Sequence, residues 1–380
     1  MPGGHHLYLV PGFFGFTNLG ELRYFAHALD FLRARSRALG VRADIHVVRT
    51  HPTASLPQRA ARVVETIAET MGRAGAVHVI GHSSGGLDAR LAVAPGVSLP
   101  SDANVERVAR RVRTVITVAT PHHGTPLASF FASLLGQRLL RFLSLWTVYV
   151  LRFGRLPISV VAKLGALFAR LDDHVGLNIV LLDQLFGQLL ADFSPTRRGA
   201  VETFFAEVSR DQALLPQLTP EGMEVFTATT RDRPGVRYGS VVTRARPPGV
   251  RSTLAAGLDP SAQATHALYQ ALYRLASRTP RGQVPALAPA QARRLRRAYG
   301  TLPGPGANDG IVPTRSQPWG DLIHAAQADH LDVIGHFRDR AKPPRHTDWL
   351  TTGSGFDAEH FEALWADVAG YVFGRRRRPS

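Results

Sequence analysis

A G-x-S-x-G sequence, GHSSG at residues 81–85, directly follows an apolar segment at 77–80 and precedes a segment with helical periodicity. This sequence between a strand and a helix is typical of a sharp turn that holds the central serine, Ser83, above the edge of a sheet. The flanking glycines lack the Cβ atoms that would collide in such a turn. Because a serine hydroxyl is a weak nucleophile at neutral pH, the turn predicts a histidine and a carboxylate elsewhere in the chain.

The composition is that of a large globular protein. The chain has 380 residues, of which 44% are hydrophobic and 19% charged, and this is enough to form a substantial core. It contains no cysteine, which excludes disulfides, thiol nucleophiles and metals bound by thiolates. No apolar segment reaches the length of a transmembrane helix, and no secretory signal is recognisable at the start of the chain. We therefore expect a cytoplasmic protein, with association to a membrane left open.

The chain is strongly basic. Its formal net charge is +16, almost all of it carried by arginine, since Lys163 and Lys342 are the only lysines. Such a charge occurs in proteins that bind nucleic acids or anionic surfaces, and also in proteins whose arginines are spread over a solvated surface. The only run of arginines is at 375–378. We therefore expect a solvated basic surface, a short basic tail at 375–380 and no nucleic acid partner.

Strand and helix signals alternate along the first 120 residues. Short apolar segments at 7–10, 44–49, 77–80 and 113–119 are separated by segments with helical periodicity. This alternation predicts an α/β fold with a mostly parallel sheet flanked by helices, and the turn at Ser83 makes it an α/β-hydrolase fold. Further strands are predicted at 223–227, 236–243 and 311–312, and a closing helix at 361–373.

Residues 126–193 differ from the rest of the chain. Strand signals disappear there, and the apolar residues exceed what one helix face needs to bury. Three interpretations stay open: a cap packed over the active site, a cap that also opens at a lipid or substrate interface, and ordinary helical core. The predicted organisation is a hydrolase core at 1–125 and 194–374, an inserted helical lid at 126–193, and the basic tail.

The partners of Ser83 are predicted from their order in the chain. In the α/β-hydrolase arrangement the acid and then the histidine follow the serine, each at the end of a strand. Asp309, in a glycine-rich turn, is the predicted acid, and His330, 21 residues later, is the predicted base. Asp309 would accept the imidazole N–H and stabilise the imidazolium that forms when His330 takes the serine proton. The other histidines that could serve as the base are His336, His346 and His360.

Acyl transfer also requires donors for the oxyanion. One is predicted to be the backbone N–H of Ser84, directly after the nucleophile. The other is predicted to be the N–H of Phe13, in the glycine-rich loop after the first strand. This loop has neither the Lys-Ser/Thr ending nor the G-x-G-x-x-G spacing of a phosphate-binding loop, so no nucleotide cofactor is expected.

Several segments together carry a family resemblance. They are LVPGF at 9–13, GHSSGGLDAR at 81–90, ATPHHGT at 119–125, NDG at 308–310 and HLD at 330–332. In this combination the chain resembles the bacterial true lipases of the Pseudomonas and Burkholderia type. The resemblance implies the same triad, Ser83, Asp309 and His330, together with a mobile helical lid.

The same resemblance implies a structural calcium ion. These lipases hold the ion partly through two aspartates, one of which lies two residues after the catalytic histidine. Asp332 matches that position, and Asp259 is the expected second ligand. Calcium binds six to eight oxygens, so the two carboxylates would form only part of the site.

These observations predict a serine carboxylic-ester hydrolase, a lipase or esterase that cleaves lipid-like acyl esters and requires no redox cofactor. A thioesterase or an acyltransferase could use the same triad, and would differ in its preference for a thioester or in the acceptor of the second step. A third alternative is a non-catalytic basic protein that binds membrane surfaces through a hydrolase fold. The expected partners are therefore an acyl ester and, transiently, a lipid interface.

Overall fold

The structure is a computed structural model that describes residues 4–13, 24–25, 27–153, 157, 159–161, 163, 179–338 and 348–374. The basic tail at 375–380 and His346 lie outside the described residues. The helices of the described part are α1 (Ala28–Ala38), α2 (Leu56–Thr70), α3 (Ser84–Val93), α4 (Val105–Arg111), α5 (Pro126–Phe131), α6 (Leu134–Phe153), α7 (Ile179–Ala191), α8 (Pro195–Arg210), α9 (Leu214–Gln217), α10 (Pro220–Thr229), α11 (Val250–Ala255), α12 (Pro260–Ala276), α13 (Pro289–Tyr299) and α14 (Ala358–Phe373).

Six strands form one parallel sheet. They are β1 (His5–Val10), β2 (Ala43–Val47), β3 (Ala76–His82), β4 (Val112–Val118), β5 (Arg237–Thr243) and β6 (Asp321–Ala326). Their order across the sheet is β2-β1-β3-β4-β5-β6, and every neighbouring pair is parallel. The carboxyl ends of the strands therefore lie at one edge, which is where open α/β sheets bind their ligands.

Both faces of the sheet are covered by helices. Leu7 and Leu9 of β1 belong to a hydrophobic cluster that contains residues of α1, α6 and α14. Tyr8 and Val10 belong to a second cluster that contains residues of α2, α3 and α4. Because successive strand residues point to opposite faces, this division explains why apolar residues follow one another in β1. The predicted mostly parallel α/β fold is confirmed.

Two predicted strands are wrong. Residues 223–227 lie within α10, whose first turn is capped by Thr219: its hydroxyl oxygen accepts a hydrogen bond from Gly222 N at 3.1 Å. The β-branched and aromatic residues of this segment favoured a strand, but the Thr-Pro start of the helix determines its structure. Residues 311–312 lie in a turn closed by an isolated bridge between Asn308 and Pro313. The last strand of the sheet is β6 instead.

The apolar segment at 126–193 is helical in its described parts, α5, α6 and α7. Leu139, Phe142 and Trp146 of α6 are buried in the same cluster as Leu7 of β1. The excess of apolar side chains is thus covered by the sheet and by neighbouring helices. Nowhere in the described ranges does a helix combine the length and the apolar character needed to cross a membrane.

Candidate active site

Ser83 lies in the turn between β3 and α3 with φ 56° and ψ −132°. A positive φ is rare for residues other than glycine and stores strain in the backbone. Main-chain contacts hold the turn in place, since Ser83 N donates to the Val118 carbonyl at the end of β4 at 2.8 Å. A Cβ at Gly85 would collide with the Val10 carbonyl oxygen, so a side chain cannot be accommodated there. The G-x-S-x-G sequence therefore forms a strained elbow at the carboxyl edge of the sheet.

The loop after β1 packs directly on this elbow. A Cβ placed on Gly12 would lie 2.5 Å from the Ser83 Cβ, so only glycine allows this close approach. Phe13, the next residue, lines the same cavity as Ser83. Ser84 begins α3, and the first N–H groups of a helix have no partner within the helix. The two backbone segments predicted to supply oxyanion donors thus meet at Ser83.

Asp309 and His330 form a buried hydrogen-bonded pair. His330 Nδ1 donates to Asp309 Oδ2 at 2.9 Å, and His330 N donates to the Asp309 carbonyl at 3.1 Å. With Nδ1 carrying the proton, Nε2 of a neutral imidazole is free to accept one. The His330 ring lies beside the His82 ring, with centroids 4.7 Å apart, and His82 immediately precedes Ser83. The structure thus brings the predicted acid and base together next to the elbow.

Four further donors hold the Asp309 carboxylate. Oδ1 accepts from Ile311 N at 3.0 Å and Val312 N at 2.7 Å. Oδ2 accepts from the Thr243 hydroxyl at 2.6 Å and from the Gln317 side-chain amide at 3.3 Å. These bonds fix the carboxylate in the orientation that His330 requires. Sequence reasoning missed Thr243 and Gln317; the position of Thr243 at the carboxyl end of a predicted strand was the available signal.

A second chain of hydrogen bonds connects the β1 loop to the histidine loop. Gly12 N donates to the Tyr24 hydroxyl at 2.9 Å, and this hydroxyl donates to His82 Nδ1 at 2.6 Å. His82 Nε2 then donates to the His330 carbonyl at 2.8 Å. Because the first group can only donate and the last can only accept, the direction of every bond is set. Burial lowers the pKa of His82 well below its usual value, so the ring is neutral as this chain requires.

A buried ion pair fixes the same loop from its other side. The Arg59 guanidinium contacts the Asp88 carboxylate of α3 at 2.7 Å and donates to the Pro11 carbonyl at 2.8 Å. Burial raises the pKa of Asp88 to about 6, with Arg59 acting in the opposite direction. Removing one member of such a pair leaves an uncompensated charge in the interior. Pro11 and Gly12 are therefore held from both sides, by Arg59 and by Tyr24.

An apolar cavity opens on Ser83. Leu127, Ala128, Phe131 and Leu140 line it from the inserted helices, and Leu215, Leu218, Ile311 and Val312 line it from the core. This lining suits an apolar group attached to a carbon atom next to Ser83.

The other candidate bases lie elsewhere. His336 Nε2 donates to the Tyr24 carbonyl at 3.1 Å, and His360 Nδ1 pairs with the Asp357 carboxylate at the exposed start of α14. Neither is hydrogen-bonded to Asp309 in the described residues. Of the predicted bases that the structure describes, His330, His336 and His360, His330 is thus the one hydrogen-bonded to Asp309 next to the elbow.

A group of three carboxylates lies directly beyond His330. Asp329, Asp332 and Asp348 each offer an oxygen, and these oxygens all lie within 4.8 Å of one another. Among the described residues, no hydrogen-bond donor reaches the buried Asp329 Oδ2. Burial, followed by repulsion from Asp329, raises the pKa of Asp332 well above its usual value. A hard divalent cation would satisfy this donor set, since such ions prefer carboxylate oxygens.

The expected pairing of Asp259 with Asp332 is not what the structure shows. Asp259 caps the N-terminus of α12, where its Oδ1 accepts from Ser261 N at 3.1 Å, and it is exposed. It does not belong to the carboxylate group formed by the described residues. Asp329 and Asp348 take its place, and the separation of Asp348 along the chain left no sequence signal for this role.

Comparison with solved structures places the fold among known hydrolases. A metagenomic carboxyl esterase is 19% identical, with a TM-score of 0.50 over 98% of this chain and 76% of its own. EstA from Clostridium botulinum is 16% identical, with a TM-score of 0.52 over 100% and 90% of the two chains. Lipase 1 from Pelosinus fermentans is 17% identical, with a TM-score of 0.51 over 97% and 99%. At these identities the likeness shows the fold, which is that of α/β-hydrolase esterases and lipases.

Sequence comparisons add no closer assignment. No protein-family model matches the chain. No curated protein matches it either. The resemblance to the true lipases of the Pseudomonas and Burkholderia type therefore stays a prediction.

Proposed function

We propose that the protein is a serine carboxylic-ester hydrolase that acts on acyl esters. The observation that carries this proposal is the buried Asp309–His330 pair beside the strained elbow of Ser83, at the mouth of an apolar cavity. The α/β-hydrolase fold supports it, because esterases and lipases are built on this fold. The required residues occur in the chain order of that fold, serine, aspartate and histidine.

In the first half of the reaction, Ser83 Oγ attacks the ester carbonyl carbon while His330 Nε2 takes its proton. Asp309 holds Nδ1–H and stabilises the imidazolium. The oxyanion accepts hydrogen bonds from Ser84 N and Phe13 N. The tetrahedral intermediate then releases the alcohol, which leaves with the proton held by His330, and the acyl group remains as an ester of Ser83.

In the second half, a water molecule takes the place of the alcohol. His330 removes a proton from the water as it attacks the acyl carbon, and returns this proton to Ser83 Oγ when the carboxylic acid departs. No redox step occurs. The serine is regenerated, so none of the groups in the cycle is consumed.

We further propose that residues 126–193 act as a lid that sets the acyl-chain length. In the structure most of the apolar side chains of these helices are buried, and four of them line the cavity at Ser83. An oil–water interface would stabilise an open lid, because it offers the same faces a second apolar environment. Such an interface shifts the equilibrium only through its different affinities for the two states.

A panel of p-nitrophenyl esters from short to long chain tests both proposals. We expect hydrolysis of short soluble esters without any interface, and a rise in the rate on long-chain esters above their solubility limit. The measurement is the initial rate against substrate concentration through that limit. The absence of hydrolysis across the whole panel would contradict the function, and a smooth hyperbola on long chains would contradict the lid.

Two leucines of α6 provide matched variants for this panel. Leu140 lines the cavity, whereas Leu145 is buried in the same helix without lining it. Leu140→Ala should shift the preferred chain length upward, and Leu145→Ala should lower stability by a similar amount, about 2–5 kcal/mol, without this shift. Equal chain-length profiles in the two variants would remove Leu140 from the acyl pocket.

We also propose that Asp329, Asp332 and Asp348 hold a structural calcium ion. The ion would offset most of the negative charge of the buried Asp329 and Asp332 and the half-buried Asp348, and would anchor the loop that carries His330. Calcium in excess should raise the Tm by about 3 °C, since a ligand at 100 times its Kd stabilises by about 2.7 kcal/mol. Asp329→Asn should abolish the increase, whereas Asp259→Asn, which preserves the helix cap, should retain it. If Asp259→Asn abolished the increase in Tm and Asp329→Asn retained it, Asp259 would be the ligand instead of Asp329.

A further inference from the structure

Helix α11 (Val250–Ala255) exposes two aliphatic side chains while a serine of the same helix is buried. Ser252 is buried, and its hydroxyl lies 3.4 Å from His266 Nε2 of α12. Val250 and Leu254, one helical turn apart, are 77% and 74% exposed. Leu258, in the turn after the helix, is 99% exposed. In the usual amphipathic surface helix the aliphatic side chains are buried and the polar ones are exposed.

Val250, Leu254 and Leu258 form what we call the apolar ridge. Single exposed aliphatic residues are common, but here three lie within nine residues of the chain, the first two on one face of α11. The packing of α11 on α12 makes this orientation fixed, because Ser252 and Ala256 occupy the inner side. The ridge is thus a built feature of the surface, and its exposure requires an explanation.

The ridge is joined to the edge of the sheet that carries the active site. Val250 follows Thr243, the last residue of β5, by seven residues, and Thr243 is hydrogen-bonded to Asp309. Seven residues span at most about 25 Å. The connecting segment is also tied back, since Ala245 N donates to the Asn308 carbonyl at 2.9 Å. The ridge therefore begins no more than about 25 Å from the carboxyl end of β5.

The charge around the ridge and its apolar area indicate whether it contacts a second protein chain or a lipid surface. Residues 244–259 carry three arginines and one acidic residue, Asp259, and the whole chain carries +16. Three aliphatic side chains offer roughly 200–350 Å² of apolar surface. A stable protein interface buries about 800 Å² on each partner, so the ridge is too small to hold a second copy of the chain. A lipid surface needs no matching contour, and each inserted side chain contributes separately.

We propose that the apolar ridge inserts into an anionic lipid surface and places the carboxyl edge of the sheet against it. Val250, Leu254 and Leu258 enter the acyl region, while arginines such as the exposed Arg246 remain at the phosphate level. The proposal rests on the proposed function only in the sense that docking would deliver acyl esters to Ser83. The docking itself requires no catalysis.

Flotation with phosphatidylcholine vesicles, with and without phosphatidylglycerol, tests the proposal on the full chain. Wild-type protein should float with the vesicles that contain phosphatidylglycerol. Leu254→Ser/Leu258→Ser should weaken this binding at least about tenfold. The matched control is Val225→Ser, which changes a 65% exposed aliphatic residue of α10 outside the ridge and should bind as wild type. Hydrolysis of a soluble short-chain ester should be equal in all three proteins.

Several outcomes would overturn the docking proposal. They are wild-type protein that does not float, a double variant that floats as wild type, equal losses in Val225→Ser, and a wild-type dimer that the double variant converts to a monomer. The last result would assign the ridge to a second copy of the chain. Binding is measured without turnover, so vesicle binding with no ester hydrolysis would contradict the proposed function and leave the docking surface standing.

Discussion

Ser83→Ala is expected to lower kcat for ester hydrolysis about 10⁴- to 10⁶-fold while leaving the fold intact. The variant removes the only atom that can form the acyl-enzyme, and hydrolysis then depends on water held by the remaining groups. The positive φ of Ser83 is no more strained for alanine than for serine. The measurement is kcat on a soluble p-nitrophenyl ester, with circular dichroism and the Tm as checks of folding.

Ser84→Ala is the matched control for this experiment. Ser84 is the neighbouring serine, its backbone N–H is retained in alanine, and its buried hydroxyl has no hydrogen-bond partner among the described residues. We expect kcat within about threefold of wild type. An inactive Ser84→Ala together with an active Ser83→Ala would show that the nucleophile is misassigned.

His330→Ala and Asp309→Asn should each lower kcat by about 10⁴-fold. Alanine removes the base. Asparagine removes the charge that stabilises the imidazolium, and its NH2 group in the place of Oδ2 would donate to Nδ1 and select the wrong tautomer. The losses should not add to that of Ser83→Ala, because the three residues act as one unit. Kinetics of the single variants and of Ser83→Ala/His330→Ala provide this test.

His360→Ala is the control for the base. His360 pairs with Asp357 on the exposed start of α14, so its removal should leave kcat unchanged. An active His330→Ala enzyme combined with an inactive His360→Ala enzyme would show that His360, and not His330, is the base. A further large loss in Ser83→Ala/His330→Ala, beyond that in Ser83→Ala, would show that the two residues do not act together.

The sequence predicts the parts of this fold whose signals are local. Strands β1, β3 and β4 are recognisable because each contains a run of buried, mostly apolar residues, as expected of strands covered on both faces. Strand β6, Asp321–Ala326, escapes detection because it is an edge strand, starts at an aspartate and contains His324, which pairs with Asp367 of α14. Its pairing with β5 is decided by tertiary contacts that a local pattern does not contain.

The candidate site also contains some residues that local motifs predict and others that they do not. The elbow and the order of aspartate and histidine are motifs, so Ser83, Asp309 and His330 could be named from the sequence. Tyr24 belongs to no motif and reaches Gly12 and His82 only in the folded chain. Asp348 joins Asp329 and Asp332 across an intervening segment, whereas Asp259, the second ligand expected from the family resemblance, caps α12. Residues that contact the site only in the folded chain therefore cannot be predicted from their spacing in the sequence.

The chain of hydrogen bonds from Gly12 through Tyr24 and His82 to His330 restricts how this site can be redesigned. In a saturation library, the variable position before the nucleophile of G-x-S-x-G would normally be randomised as a free site. Here that position is His82, whose side chain must accept a hydrogen bond at one end and donate a hydrogen bond at the other, over the length of an imidazole. Glutamine and asparagine also carry both groups, and most other codons would disconnect the loop beside the oxyanion from the loop of the base.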